Sequence, residues 1–338
     1  MEKKRNKKKI IGLSILSIFF IGIVASVIAY NQLQPKNHFK SVPVLNSPEQ
    51  SDVEESTSPK KEVEENKVEI EKPIFNVLLI GSDQRKGSKI GHTDSMIMVH
   101  VDLTKNEYHL LSIPRDTRIY LENYGFTKLT SVQYILQAHK GAKQGIEEAV
   151  KTVGNFTGVP INYYVEVNYW GLQDIVDELG GINVDVSFDV ELTHPWYPEN
   201  ANKVITEGKQ FLDGKMVTEL VHERYSLENG DYGRQQLQQV VLAGLAQTAL
   251  DPKNISKLPK LVNSVSELLV ATNMETSDML SLGLSVKDFD PNSQIHNHQL
   301  YGQGKTMYDD ILQAKNSQIV VDENKMNEIV NKYFLNSR

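Results

Sequence analysis

Two aspartates and four arginines stand where apolar runs of this sequence end. "LLIGSDQRKGSKIGHTDSMIMVHVD" (78–102) places Asp83 just past one buried-strand pattern and Asp94 just before the next, with Arg85 between them. Neighbouring strands would bring both carboxylates to one rim of a sheet. Two close carboxylates repel unless a cation holds both. Magnesium suits such a pair, because it takes one or two carboxylates and fills its shell with water and phosphate oxygens. The competing reading is a pair of loop aspartates that cap turns.

Two further segments carry the remaining charges. In "LLSIPRDTRIY" an apolar strand runs into Pro114, Arg115 and Asp116. Proline stiffens the exit, and a guanidinium offers a planar fork matched to phosphate oxygens. Asp116 is placed to orient Arg115, or the two form an ordinary surface pair. In "VHERYSLENGDYGRQQLQQVV", Arg224 precedes a loop, and Asp231 and Arg234 open a long helix. Asp231 suits the helix cap. An arginine in the first helical turn opposes the dipole unless an anion is bound there. Otherwise it faces solvent.

These charges must be positioned by a chain of 338 residues with a net charge of −7 and no cysteine. Disulfides, thiolate metal sites and a cysteine nucleophile are excluded. The overall acidity argues against nucleic-acid binding. "MEKKRNKKK" (1–9) holds six basic residues and one acid, and "IIGLSILSIFFIGIVASVIAY" (10–30) holds no charge. That run is about the ~20 residues a membrane-crossing helix needs. The basic flank predicts a cytoplasmic N-terminus and a single-pass membrane anchor, with the remainder extracellular. A cleaved signal peptide is the alternative, though the run exceeds the usual apolar core of one. Residues 31–72 are rich in Ser, Pro, Glu and Lys and read as a disordered linker.

From residue 73 to 338 strands and helices mix. Alternating or continuous apolar runs predict strands at 74–80, 95–102, 108–113 and 162–168, with a hairpin between the second and third. Further strands are expected at 182–187, 293–304 and 317–321. Helical spacing is expected at 144–158, 169–179, 212–224, from Asp231 past Leu245, around Leu258–Leu269, and at 322–335. The fold class is α/β: one three-layer α/β/α domain with a central mixed sheet, after one transmembrane helix.

The blocks "LLIGSDQR…GHTDSMIMV", "LLSIPRDT", "PINYYVEVNYWGLQDIVDELGGINVDV" and "GDYGRQQLQQV", in this order, resemble the LytR-CpsA-Psr family. The resemblance covers about residues 74–250, and the tail is similar to members acting on wall teichoic acid. It implies a membrane-anchored phosphotransferase. Such an enzyme moves an anionic glycopolymer from a polyprenyl diphosphate carrier to the 6-hydroxyl of N-acetylmuramic acid in peptidoglycan. It further implies that Asp83 and Asp94 bind magnesium (or manganese) and that Arg85, Arg115, Arg224 and Arg234 bind the diphosphate. Asp231 would share the pocket, and an apolar tunnel would hold the lipid. Asp94 and Asp231 are both candidates to take the proton from the incoming hydroxyl. A metal-bound Asp94 would be the weaker base, which favours Asp231. A polyprenyl diphosphate hydrolase and a non-catalytic, lipid-binding regulator of the cell envelope remain as other readings.

The sequence departs from the family pattern at His222-Glu223-Arg224, where many members have arginine at both ends, and at Leu129-Thr130. "LQAHKGAKQG" also replaces a glycine-rich turn. These departures spare the metal and diphosphate positions. Trp170 and Trp196 are able to stack on sugar, or to fill a core. His296 and His298 alternate along one strand and so face one side.

Overall fold

The computed structural model describes residues 30–46, 67–255, 257–285 and 289–335. The basic tail and almost the whole predicted anchor lie outside them. Among the described residues no helix is long and apolar enough to cross a membrane.

Six strands form the central sheet: β1 (Ile74–Ser82), β2 (Thr93–Asp102), β3 (Glu107–Ser112), β4 (Tyr163–Asn168), β5 (Ala271–Thr272) and β6 (Ile295–Gln299), in the order β5-β4-β1-β2-β3-β6. β1 pairs antiparallel with β2 and parallel with β4, while β3 pairs parallel with β6, so the sheet is mixed as expected. The alternation of β1 divides its side chains between two layers. Leu78 and Ile80 pack with Val132, Ile135, Ile146 and Val150 of α1 (Leu129–Lys140) and α2 (Ala142–Thr157). Phe75 and Val77 face the other way, with Tyr163 and Met274. On that second side stand α3 (Tyr169–Glu178), α4 (Gly214–His222), α5 (Asp231–Ala249), α6 (Leu258–Leu268) and α7 (Thr276–Ser285). A last helix, α8 (Glu323–Val330), is capped by Asp322, whose side chain accepts from the Lys325 N–H at 3.2 Å.

Three sequence expectations need correction. First, α1 fills the stretch "LTSVQYILQAHK", in part of which only a replaced turn was noted. Its apolar residues Val132, Ile135 and Leu136 fit helical spacing, but "SVQY" carries no start signal and Lys128 makes no capping bond. Second, the strand at Ile182–Val186 pairs with Gly208–Leu212, and Ala314–Val321 pairs with Gly302–Asp309, both outside the central sheet. Third, the structure folds both ends of the predicted linker. Ser41–Pro43 pairs with Lys67–Glu69, and Phe39 and Val42 are buried against Phe75 and Tyr163. The Asn46 amide group binds the Ile161 N–H and the Val159 carbonyl. A few apolar side chains are enough to dock a short segment, and averaging composition over the whole stretch hides them. Residues 47–66 lie outside the described part.

Beneath the rim of the sheet lies a buried polar chain. Thr93 Oγ donates to Gln133 Oε1 at 2.8 Å, and Gln133 Nε2 donates to Glu166 at 2.8 Å. Burial raises the Glu166 pKa. Among the described residues no cation is paired with it, which leaves that burial uncompensated by an opposite charge.

Candidate functional site

The register of β1 and β2 contains the feature that aims Asp94. Gly81 pairs with Ser95 and Ser82 with Thr93, so Asp94 is the extra residue of a β-bulge. Bulges re-aim a side chain and are frequent beside functional sites. The carboxylate thereby meets the Arg115 guanidinium, with Nη1 donating to Oδ1 at 2.5 Å. Arg115 leaves β3 through Ile113 and Pro114. The turn is held by Thr117 Oγ on the Pro114 carbonyl and by the Thr130 N–H on the Arg115 carbonyl. Asp116 is turned away and pairs with Lys128 at 2.9 Å, so Asp94 takes the orienting role expected of Asp116.

From the other side, the N-terminus of α5 supplies Asp231 and Arg234. Gly230, at φ +52°, is the residue before the helix, and Asp231 makes no capping bond. Its Oδ1 instead accepts from Arg234 Nη2 at 2.5 Å, and its Oδ2 accepts from Gln235 at 3.0 Å. Arg115 Nε lies 3.8 Å from the same carboxylate. Arg234 also donates to the Asp94 carbonyl at 3.1 Å, tying helix to bulge. The solvent-facing reading of Arg234 is thus excluded: its side chain is 3 % exposed, against 17 % for Arg115 and 19 % for both aspartates.

Burial opposes the Arg115 charge, but Asp94, then Asp231 and Asp116, outweigh it and push its pKa up. Nε of Arg115 and Nε of Arg234 are both buried without a hydrogen-bond partner. A buried guanidinium N–H left unpaired is costly and calls for an explanation. An oxyanion bound between the two arginines supplies one.

Behind this mouth is a cavity of about 260 Å³ between the sheet and α3–α6. Asp94 and Ser95 lie at its polar end, while Leu79, Ile97, Val165, Leu172, Leu242 and Leu269 make most of the wall apolar. An apolar cavity stays dry and takes apolar ligands. α5 contributes Val241, Leu242 and Leu245 to its wall, and α6 contributes Val265.

Asp83 arrives differently. Its Oδ1 accepts from the His92 N–H at 2.6 Å and its Oδ2 lies 3.3 Å from His92 Nδ1, while the His92 ring stacks on Tyr134. Asp83 and Asp94 do not touch, yet both act on the Tyr169 hydroxyl. Burial chiefly, then Asp94 and more weakly Asp83, push the Tyr169 pKa up to about 12, against the opposing effect of Arg234 and Arg115. The two carboxylates are thus within electrostatic reach of one point at the mouth. As hard oxygen donors at adjacent strand ends, they are of the chemical type that a magnesium or manganese ion takes. Among the described residues, no group of three or more His, Cys, Asp or Glu side chains is arranged to hold a metal alone. A two-carboxylate site depends on its substrate's oxygens.

Arg224 stands further out. Its guanidinium lies 4.7 Å over the Tyr225 ring and donates to the Tyr225 hydroxyl at 2.8 Å. Arg85 is exposed and, among the described residues, its side chain makes no ion pair. The structure therefore brings Asp94, Arg115, Asp231 and Arg234 together directly, and leaves Arg85 and Arg224 on the periphery. His222 lies between α4 and Tyr169, its Nδ1 3.5 Å from the Tyr169 hydroxyl. Burial first, then Arg234, lowers its pKa, so it is neutral at neutral pH. Tyr169 and Gln235 were not singled out from sequence. Only their places beside Asn168 and Arg234 could have signalled them. His296 and His298 lie far along the sheet with His109, whose Nδ1 is 3.1 Å from His298 Nε2. Burial lowers the His109 pKa to about 4.

A model of the LytR_cpsA_psr family matches residues 44–334. TagU of Bacillus anthracis is 31% identical over 310 residues, covering 90% of this chain and 91% of that protein. TagV of Bacillus subtilis is 31% identical over 251 residues, covering 74% of this chain and 61% of TagV, so that match spans less than two thirds of TagV's length. Both are named polyisoprenyl-teichoic acid–peptidoglycan teichoic acid transferases. The crystal structure of B. subtilis TagV superposes with a TM-score of 0.64 at 26% identity, covering 78% of this chain and 96% of that one. A structure of TagT bound to LI-WTA shares the fold, with a TM-score of 0.60 at 23% identity, covering 77% and 88%. The match runs from the docked N-terminal segment to the last helix, and the same fold carries it: the chain belongs to the LytR-CpsA-Psr family.

Proposed function

We propose that this chain is a phosphotransferase acting outside the cell. It moves an anionic, wall teichoic acid-like glycopolymer from a polyprenyl diphosphate carrier to the N-acetylmuramic acid 6-hydroxyl of peptidoglycan. The observation that carries this reading is the junction of an apolar cavity with a mouth of two buried arginines that have unpaired N–H groups. A lipid diphosphate has that same division between apolar tail and anionic head. The names of the relatives, as teichoic acid transferases, support the polymer class. The charge pattern of residues 1–30 supports a single-pass anchor with the N-terminus in the cytoplasm.

In this reading the lipid enters the cavity, and Arg115 and Arg234 hold the diphosphate, with Arg224 and Arg85 as outer contacts. Asp83 and Asp94 would hold a magnesium or manganese ion. Its chemistry there is neutralisation of diphosphate charge. The acceptor hydroxyl oxygen forms a bond to the phosphorus that bears the sugar. The bond from that phosphorus to the bridging oxygen breaks, and polyprenyl phosphate leaves. With Asp94 given to the ion, Asp231 is the carboxylate left to take the hydroxyl proton. Arg234 and Gln235 orient it through hydrogen bonds to its two oxygens. Arg115 and Arg234 oppose the charge that develops on the leaving phosphate.

The test supplies purified protein with radiolabelled polyprenyl-linked polymer, peptidoglycan glycan and magnesium. Label becomes covalently bound to sedimentable glycan, polyprenyl phosphate is released, and chelation stops both. Release of the polymer into water with none on glycan would identify a hydrolase. Binding of the lipid without turnover would identify a regulator.

The cavity makes a separate prediction. Leu242 lines it and lies away from the charged mouth. Leu242→Trp should weaken binding of long-chain polyprenyl diphosphate by at least about tenfold, the loss expected when apolar contacts worth ~1.4 kcal/mol are blocked. A short-chain diphosphate should bind as in wild type. Equal affinity for the long chain in both proteins would place the lipid elsewhere.

A further inference from the structure

Next to the mouth is a group of aromatic rings that the reaction chemistry leaves unused. The Asn168 side chain caps α3 by accepting from the Gly171 N–H at 2.9 Å, which fixes Tyr169 and Trp170 as its first two residues. Trp196 comes from a distant loop. Its ring lies 5.6 Å from Tyr169 at an interplanar angle of 27°, and its edges meet Trp170 and His222, each at 5.7 Å and 79°. Beside it, His194 lies 4.2 Å from the Tyr225 ring, which carries Arg224 on it. Neither tryptophan is fully buried.

The loop is held with unusual firmness for a surface segment. Glu219 and Glu223, one helical turn apart at the end of α4, are 1 % and 2 % exposed. Glu219 accepts from the Trp196 N–H at 2.7 Å and the Tyr197 N–H at 2.8 Å. Glu223 accepts from the Thr193 N–H at 2.7 Å and the His194 N–H at 3.2 Å. Burial works to raise the Glu223 pKa, but backbone N–H groups from His194, Ser226, Tyr225 and Thr193 outweigh it and hold the carboxylate ionised. The Tyr197 hydroxyl adds a bond to Gln173 at 2.5 Å. Two buried carboxylates spent on backbone donors fix where Trp196 stands, and they fix it against Tyr169. Tyr169 itself lines the apolar cavity and feels Asp94, Arg115 and Arg234.

We propose that Trp196, backed by Trp170 and Tyr169, is a stacking platform for the pyranose ring attached directly to the donor's diphosphate. The inference rests on the lipid-diphosphate reading of the mouth and adds a substrate contact to it. Three things commit the platform to that sugar. It adjoins the diphosphate mouth through Tyr169. It is rigid, so stacking costs little ordering entropy. Its rings are neutral, His222 included, and they suit the C–H face of a hexose. Trp196 would then be a specificity residue that distinguishes a loaded carrier from a bare one.

The experiment measures affinity of the full chain for two lipids in detergent: polyprenyl diphosphate, and the same lipid bearing one N-acetylhexosamine. Wild type should favour the sugar-bearing lipid by about tenfold, the worth of one good aromatic contact. Trp196→Ala should bring the two affinities to within about twofold of each other and leave the bare lipid unchanged, while Trp196→Phe restores part of the preference. Trp170→Ala, which leaves the main ring in place, should reduce the preference without erasing it and serves if Trp196→Ala melts early. A preference that stays at wild-type strength in Trp196→Ala, or in Trp170→Ala where Trp196→Ala does not fold, overturns the platform, as does a wild type that binds both lipids equally. A rise confined to the KM for acceptor glycan, with the lipid preference intact, assigns the rings to the acceptor and also overturns it. If wild type binds neither lipid, the lipid-diphosphate reading fails first.

Discussion

Replacing Arg115 by alanine should lower polymer transfer by about a thousandfold, in line with the loss of a group aimed at developing charge in a desolvated site. Arg115 is the cation between Asp94 and Asp231, 2.5 Å from one and 3.8 Å from the other. Its Nε is buried with no hydrogen-bond partner, so a phosphate oxygen would gain a donor that nothing else now uses. Most of the effect should fall on kcat, because the apolar cavity proposed to hold the lipid is untouched. Arg115→Lys restores the charge but not the planar fork, and should recover only a small part of the rate. The measurement is initial transfer rate at saturating donor. A rate for Arg115→Ala within threefold of wild type would remove Arg115 from the chemistry.

The second large effect is on stability. Arg234→Ala should destabilise the domain by about 3 kcal/mol or more, because it leaves the largely buried Asp231 carboxylate without its nearest cation. Arg234 also supplies the hydrogen bond from α5 to the Asp94 carbonyl in the bulge. For a domain of this size the loss corresponds to a fall in melting temperature of about 10 °C. Adding Asp231→Asn to Arg234→Ala should return part of it, since an amide needs no counterion, and the double-mutant cycle measures the pair directly. Neither protein should transfer polymer. A melting temperature for Arg234→Ala within about 2 °C of wild type would mean that the mouth does not depend on this ion pair.

The reach of sequence reasoning varies with the kind of signal. The strands at 74–80 and 95–102 were legible because their apolar runs are long and end in polar residues. The helix beginning at Asp231 was legible from Leu237, Val241 and Leu245. The helix at Leu129–Lys140 was missed, since it starts without a cap. Phe39 and Val42 were lost in a stretch whose average composition suggests disorder. Asp116 and Arg115 are neighbours in sequence, but the turn after Pro114 sends them to different partners. Glu219 and Glu223 carry no mark of burial in the sequence. Only the returning loop at 193–197 explains their burial.

The sequence by itself determined the types of group available and their places at element ends: carboxylates and guanidiniums after apolar strands, no thiol, and an uncharged run near the N-terminus. It also carried the order of blocks that marks the family. Those properties are local, and local chemistry is written residue by residue. Tertiary structure alone decided that a single extra residue in β2 swings Asp94 onto Arg115, and that α5 meets that bulge through Arg234. It also decided that the helices stand off the sheet far enough to leave a cavity behind them. The bulge depends on the pairing register of β1 against β2, and the docking and the cavity depend on packing between segments more than a hundred residues apart, which no stretch of sequence specifies alone.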